Sequence, residues 1–182
     1  MQVAAILVAA GSGSRFGAEV PKQYLPLAGK PVLRHAAERL AGSVDLLQPV
    51  GDAAAIKAAL AGLPHLPVVA GGEARQDSVR YGLDALEAAA PDVVLVHDAA
   101  RPWFPRGTIA ALLAALEHAD GAIPAVPVAD TLKRVANGLI EAMYPELPRW
   151  LEVFHEINVH GTFDNAFTER CGFSSLGFQR DN

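Results

Sequence analysis

The chain has 182 residues, 51% of them hydrophobic, with a formal net charge of −5 and a pI of about 5.6. That length suffices for one domain with a real core. The acidic balance and the lack of a basic run exclude a nucleic-acid partner, and the lone cysteine, Cys171, excludes an intrachain disulfide and a thiolate metal cluster, which fits a cytoplasmic setting.

Val3–Val8 is an apolar, partly β-branched run ended by Gly11 and reads as a buried strand. It lacks the basic flank of a signal peptide, and no apolar run reaches the ~20 residues of a membrane helix. Pro31–Leu40 has helical spacing, with Pro31 suited to a first turn. Val44–Val50 reads as a strand, Ala53–Leu60 as a helix and His65–Val69 as a short strand. Asp77–Ala90 carries Val79, Leu83 and Leu86 at helical spacing, Asp92–His97 is a buried strand, Thr108–Ala119 a helix and Ala122–Val128 a strand. Strands alternating with helices predict an α/β fold, a mostly parallel sheet covered on both faces.

Thr131–Ala142 differs: two short runs flank Asn137-Gly138, a strong hairpin signal, and predict a β-arm protruding from the sheet, with an ordinary surface hairpin equally compatible with the sequence alone. Composition then changes. Residues 1–142 hold 33 alanines and residues 143–182 only Ala166, while five of the seven phenylalanines fall in the last 40 residues. The expected organisation is a domain over 1–142, C-terminally incomplete, and an atypical tail over 143–182 too short for its own core.

The chemistry concentrates first in "GSGSRFG", with Gly11, Gly13 and Gly17, followed by Lys22. A dinucleotide fingerprint needs its third glycine one residue earlier and an immediate helix. A Walker loop needs a lysine directly after the last glycine, and Lys22 is five residues past Gly17. Both common phosphate loops fail. Glycines still let backbone N–H groups approach an anion, and Arg15 and Lys22 can balance several negative charges, which suits a nucleoside triphosphate. The plainer reading is a tight turn with two surface cations.

"VLVHDAARPW" ends a buried strand with Asp98, where open α/β sheets bind ligands. Asp98 is a candidate Mg²⁺ ligand and Arg101 a candidate anion contact; a helix cap and a surface ion pair are the alternatives. In "AGGEARQDSVRYGL" the Gly71-Gly72 pair can present backbone groups to a base edge and Ser78 can donate to it, against the default of a helix start capped by Asp77. "HEINVH" is not a zinc site, because His155 and His160 are five residues apart, roughly 140° around a helix. His97 reads as structural rather than as a base.

Together "AAGSGSRFG…PKQY", "GGEARQDSV", "HDAARP" and "DTLKR" resemble the successive motifs of the 2-C-methyl-D-erythritol 4-phosphate cytidylyltransferase family, over about residues 3–141. The first motif is shared with many nucleotidyltransferases; PKQY with HDAARP narrows it, and DTLKR favours this family over the relative that uses ribitol 5-phosphate. The resemblance implies a Rossmann-like three-layer nucleotidyltransferase fold. It implies that CTP and methylerythritol phosphate react to give the cytidylyl diphospho product and pyrophosphate, with Mg²⁺ on the CTP phosphates. By motif position Arg15 and Lys22 are similar to the family's transition-state stabilisers. Asp98 matches the metal and ribose contact. Ala9, Ala10, Gly11, Gly13, Gly72, Glu73, Ser78 and Ala99 match nucleotide-binding positions, and Arg101 and Thr131 match contacts to the acceptor phosphate. In the family the counterpart of Thr131 lies on an arm reaching a second subunit, which implies a homodimer through 131–142.

The chain departs from the family after Glu141. The arginine-bearing stretch that leads into a tryptophan and a T-P-Q segment has no counterpart, and "PRWLEV" around Arg149 and Trp150 is too poor a match to carry it. A later threonine and lysine also lack partners. Two groups that position methylerythritol phosphate are therefore absent while the CTP half is intact. The expectation is a shifted reading frame or mis-called gene end giving a foreign tail, or a diverged tail folded onto the sheet in a new way. The alternatives for function are transfer to another polyol phosphate and a non-catalytic CTP-binding remnant.

Overall fold

A computed structural model describes residues 1–11, 20–126, 132–136, 139–144, 153–154 and 157–161. Strand β1 (Val3–Val8) is flanked in parallel by β4 (Leu46–Val50) and β5 (Val93–Asp98). β1 and β5 are buried on both faces, as expected for central parallel strands. The main sheet has five strands in the order β4-β1-β5-β11-β6, with β11 (Ile157–Gly161) antiparallel between β5 and β6 (Gly121–Ala122). All strands but β11 thus run the same way, and the sheet is mostly parallel.

Alternation along β1 assigns the two helical layers. Val3, Ala5, Leu7 and Ala9 face one side. There they meet Leu33, Ala36, Ala37 and Leu40 of α1 (Val32–Ala41), Ile56 and Ala59 of α2 (Ala53–Ala59), and Ile109 and Leu112 of α4 (Thr108–Ala115). Ala4 and Ile6 face the other side and pack with Val50, Val94 and Leu86 of α3 (Arg75–Leu86). The result is a three-layer α/β/α fold. Alanine makes it compact: small side chains at Ala36, Ala37 and Ala59 let helices lie close to the strands.

The register Val8↔Val50 and Val8↔Asp98 brings the carboxyl ends of β1, β4 and β5 to one level, which builds a common edge for a ligand. Two backbone bonds extend this edge, from Ala9 N to Val50 O at 2.8 Å and from Ala99 N to Val8 O at 2.9 Å. The hairpin expected at Thr131–Ala142 is present as β8 (Leu132–Ala136) paired antiparallel with β9 (Leu139–Tyr144) in a two-stranded sheet of its own.

Several boundaries differ from the sequence reading. His65–Val69 is not a strand; only Val69 bridges Val50, because Pro67 has no N–H for the ladder. Buried Gln48 compensates, donating from Nε2 to Pro49 O and Pro67 O at 2.9 Å each. The third helix starts earlier, at Arg75, and ends at Leu86, followed by a 3₁₀ turn over Glu87–Ala89. The fourth helix stops at Ala115. Ala122–Val128 is broken at Pro124 into β6 and β7 (Ala125–Val126), and β7 pairs with β10 (Val153–Phe154). Short β2 (Pro26–Leu27) and β3 (Lys30–Pro31) form a hairpin ahead of α1, and Pro31 caps that helix rather than opening it.

Candidate active site

A cavity of about 300 Å³ opens at the carboxyl ends of β1 and β4. It is lined by Ala9, Ala10 and Gly11 after β1, Gly51 and Asp52 after β4, Gly71 and Gly72 before α3, and Pro21, Gln23 and Tyr24. Six of the ten described lining residues are glycine or alanine, so much of the wall is backbone, and Asp52 is the one charged residue among them. Two of its glycines set how closely the facing walls approach. Gly51 has φ +152°, and a Cβ there would lie 2.9 Å from the carbonyl carbon of Ala9. A Cβ on Gly71 would collide with the Ala10 methyl. The two walls therefore approach until only hydrogen fits between them.

The wall before α3 is held by its own helix start. Ser78, 1% exposed, accepts a hydrogen bond from Gly72 N at 3.1 Å and donates to Ala74 O at 3.3 Å. Its one proton is thus engaged within the protein, and it acts on a ligand by fixing Gly72. Asp77 accepts from Ala74 N at 3.1 Å, which caps the helix. Glu73 follows Gly72 and is exposed. On the opposite wall Asp52 caps α2 by accepting from Ala55 N at 2.7 Å. Burial, and after it the Asp52 charge, pushes the Tyr24 phenol up.

Asp98 ends β5 beside Ala99, which is fully buried. Asp98 Oδ1 accepts from Arg75 Nε at 2.9 Å, and Oδ2 lies 3.5 Å from Arg101 Nε. The carboxylate thus draws together α3 and the loop after β5. Behind it His97, 1% exposed, meets Arg101 O through Nε2 at 2.8 Å. A carbonyl only accepts, so Nε2 carries the proton. Nδ1 is buried without a partner, and burial above all depresses the imidazole pKa. His97 also packs edge-on against Phe104 with centroids 5.3 Å apart. This is the structural histidine that the sequence suggests.

Lys22 opens a 3₁₀ turn, Lys22–Tyr24, and its side chain is exposed. Next to it Gln23, 4% exposed, folds under the loop after β1 and donates from Nε2 to Ala9 O and Gly11 O, both at 2.8 Å. Of the residues singled out from sequence, Ala9, Ala10, Gly11 and Gly72 line one cavity, with Ser78 behind it and Asp98, Ala99 and Arg101 at the neighbouring strand end. Arg15, Gly13 and Thr131 lie outside the described residues. Gln23, Arg75 and Gly51 were not singled out. Gln23 and Arg75 stood inside the quoted motifs, and the one signal was a polar residue beside a candidate charge.

Among the described residues no three His, Cys, Asp or Glu side chains gather as a metal site. Asp98 supplies the hard oxygen donor that Mg²⁺ prefers, and Mg²⁺ commonly takes one or two carboxylates with substrate phosphates and water completing the shell. Asp98 would be a single-carboxylate donor for that ion, and both its oxygens face arginines here, so the ion would compete with Arg75 or Arg101 for it.

A mostly parallel sheet between two helical layers, with a cavity lined partly by glycines at its carboxyl ends, is the architecture of Rossmann-like nucleotidyltransferases. The sequence model of the family 2-C-methyl-D-erythritol 4-phosphate cytidylyltransferase matches residues 3–145, and the chain belongs to that family. It is 64% identical over 145 residues to a bifunctional enzyme IspD/IspF of Granulibacter bethesdensis, covering 80% of this chain and 39% of the relative. It is 49% identical over 146 residues to a 2-C-methyl-D-erythritol 4-phosphate cytidylyltransferase of Cereibacter sphaeroides, covering 77% of this chain and 65% of the relative. The chain thus spans about two fifths of the length of the bifunctional relative. A crystal structure of 4-diphosphocytidyl-2C-methyl-D-erythritol synthase superposes with a TM-score of 0.69 at 33% identity, covering 88% of this chain and 74% of the other. The bifunctional IspDF of Campylobacter jejuni shares the fold, with a TM-score of 0.72 at 22% identity over 98% of this chain and 45% of the other. Among the described residues no helix is long and apolar enough to cross a membrane.

Proposed function

We propose that the protein transfers CMP from CTP to 2-C-methyl-D-erythritol 4-phosphate and releases pyrophosphate, a step of isoprenoid precursor synthesis, in the cytoplasm. The observation that carries the reading is the cavity at the end of β1, with Asp98 ending the adjacent strand, in a chain of this family. The base and ribose lie against Ala9, Ala10, Gly11, Gly72 and Ala99, with Ser78 fixing the peptide of Gly72 and with Gly13 and Glu73 completing the contacts. Asp98 is the residue that would hold Mg²⁺, which when bound would draw charge from the triphosphate. Arg15 and Lys22 offset the charge that develops on the α-phosphorus as the acceptor phosphate oxygen attacks in line; such positioning and electrostatics dominate phosphoryl-type transfer. Arg101 and Thr131 hold the acceptor phosphate, and the 131–142 arm joins two copies into a homodimer.

The test is pyrophosphate release from CTP, methylerythritol phosphate and Mg²⁺, run beside a panel of other polyol phosphates that includes ribitol 5-phosphate. Release only with another acceptor transfers the assignment to that acceptor. A second reading, CTP binding without turnover, is favoured by one observation: the family match ends at residue 145, where the composition changes. It predicts CTP binding by calorimetry with no pyrophosphate under any acceptor.

A further inference from the structure

We propose that Gln23 is the positioning residue that turns the Ala9–Gly11 segment at the end of β1 into an anion contact and fixes Lys22 beside it, an inference that rests on the transfer reading above. A loop lined with peptide groups presents carbonyl oxygens as well as N–H groups. A carbonyl aimed at a triphosphate repels it, so such a loop binds anions only when its carbonyls are engaged elsewhere. The Gln23 amide has two N–H donors, and each meets one carbonyl, Ala9 O and Gly11 O, at 2.8 Å. The Tyr24 hydroxyl adds a longer contact to Ala9 O at 3.4 Å. In a planar trans peptide the N–H points opposite to the C=O, so anchoring Ala9 O turns the N–H of Ala10 away from Gln23.

The same residue ties the loop to the candidate catalytic cation. Tyr24 N bonds Pro21 O at 2.9 Å and Leu25 N bonds Lys22 O at 3.3 Å, closing one tight turn around Lys22 and Gln23. Leaving the turn, Val32 N bonds Leu25 O at 3.0 Å, which anchors it to the start of α1. The Lys22 backbone therefore stands at a distance from Gly11 set by the buried Gln23 side chain. Glutamate, isosteric but without donors when ionised, would oppose both carbonyls. Methionine keeps the length and loses the donors without adding charge.

Gln23→Met and Gln23→Glu are compared with wild type by thermal unfolding, CTP–Mg²⁺ calorimetry and pyrophosphate release. Both variants are expected to raise the KM for CTP and lower kcat, each by about tenfold or more, the loss of two buried hydrogen bonds. The KM for the acceptor phosphate stays unchanged, and Glu is worse than Met. Unchanged kcat and CTP KM, with loss confined to Tm, overturn the proposal. If Met does not fold, Gln23→Asn decides on the same readouts, since it keeps the amide but is one methylene short of both carbonyls. If wild type binds CTP without releasing pyrophosphate, the transfer reading fails and calorimetry alone decides Gln23: affinity weakened about tenfold supports it, and unchanged affinity overturns it. A wild type that binds no nucleoside triphosphate overturns both.

Discussion

Arg75 and Asp98, 23 residues apart in sequence, meet at 2.9 Å and join the first turn of α3 to the end of β5. The pair is partly exposed, at 46% and 27% of the two side chains. Partly solvated pairs contribute at most about 1 kcal/mol, so this contact serves the site more than the fold. Asp98→Asn removes the charge and keeps the size. Tm should shift by no more than about 1 kcal/mol would produce, whereas pyrophosphate release at saturating Mg²⁺ should fall about 100-fold or more. A parallel fall in Tm and rate would make Asp98 a structural residue. Arg75→Ala should likewise leave Tm nearly unchanged.

Lys22 makes no ion pair among the described residues, and its exposed side chain stands at the rim beside the Gln23 clamp. A cation held for charge that appears only during reaction contributes to kcat rather than to ground-state affinity. Lys22→Ala should lower kcat by about 100-fold or more and change the calorimetric CTP affinity by less than about fivefold. Equal losses in both would make Lys22 a binding residue.

Gly51 lies at the end of β4 where its N–H bonds Val69 O at 2.8 Å, and its Cα faces the Ala9 carbonyl. Gly51→Ala combines a backbone conformation at φ +152° that alanine rarely adopts with a Cβ 2.9 Å from a backbone carbon. Destabilisation of about 1–3 kcal/mol is expected, read as a Tm lower by several degrees. CTP affinity should fall too, because the displaced peptide of Ala9 is the one Gln23 holds. A variant with wild-type Tm would show that β1 and β4 can separate without cost.

The strands and helices legible from sequence were those with a strong local pattern: Val3–Val8 and the 93–98 run, buried on both faces, and α1 with its stripe at Leu33, Ala36, Ala37 and Leu40. Gly11, Asp98 and Arg101 were legible at the strand ends from sequence, because each follows or ends a strongly apolar run. Gln23 and Arg75 were not, because each acts through a partner 14 or 23 residues away and neither is unusual alone. Strand β11 was missed for a related reason: "INVHG" gains its strand only from β5 and β6, more than 30 residues earlier. At His65–Val69 local β-propensity pointed to a strand, and Pro67 overrode it.

His97 gives the fold a pH dependence with a definite sign. Its ring is buried, its Nε2–H is spent on Arg101 O, and burial lowers its pKa from the ordinary 6.5. In the unfolded chain the imidazole takes a proton as pH falls below about 6.5, while the folded ring stays neutral. The unfolded state then binds more protons, so stability is fully present above that value and declines as pH falls towards the lower folded pKa. His97→Gln can keep an N–H on Arg101 O and cannot titrate. Chemical denaturation from about pH 7.5 to 5.5, above the usual carboxylate range, should show wild type losing stability faster than the variant. Parallel curves would mean that the folded protein admits the charge, for instance by releasing the Arg101 loop from the ring.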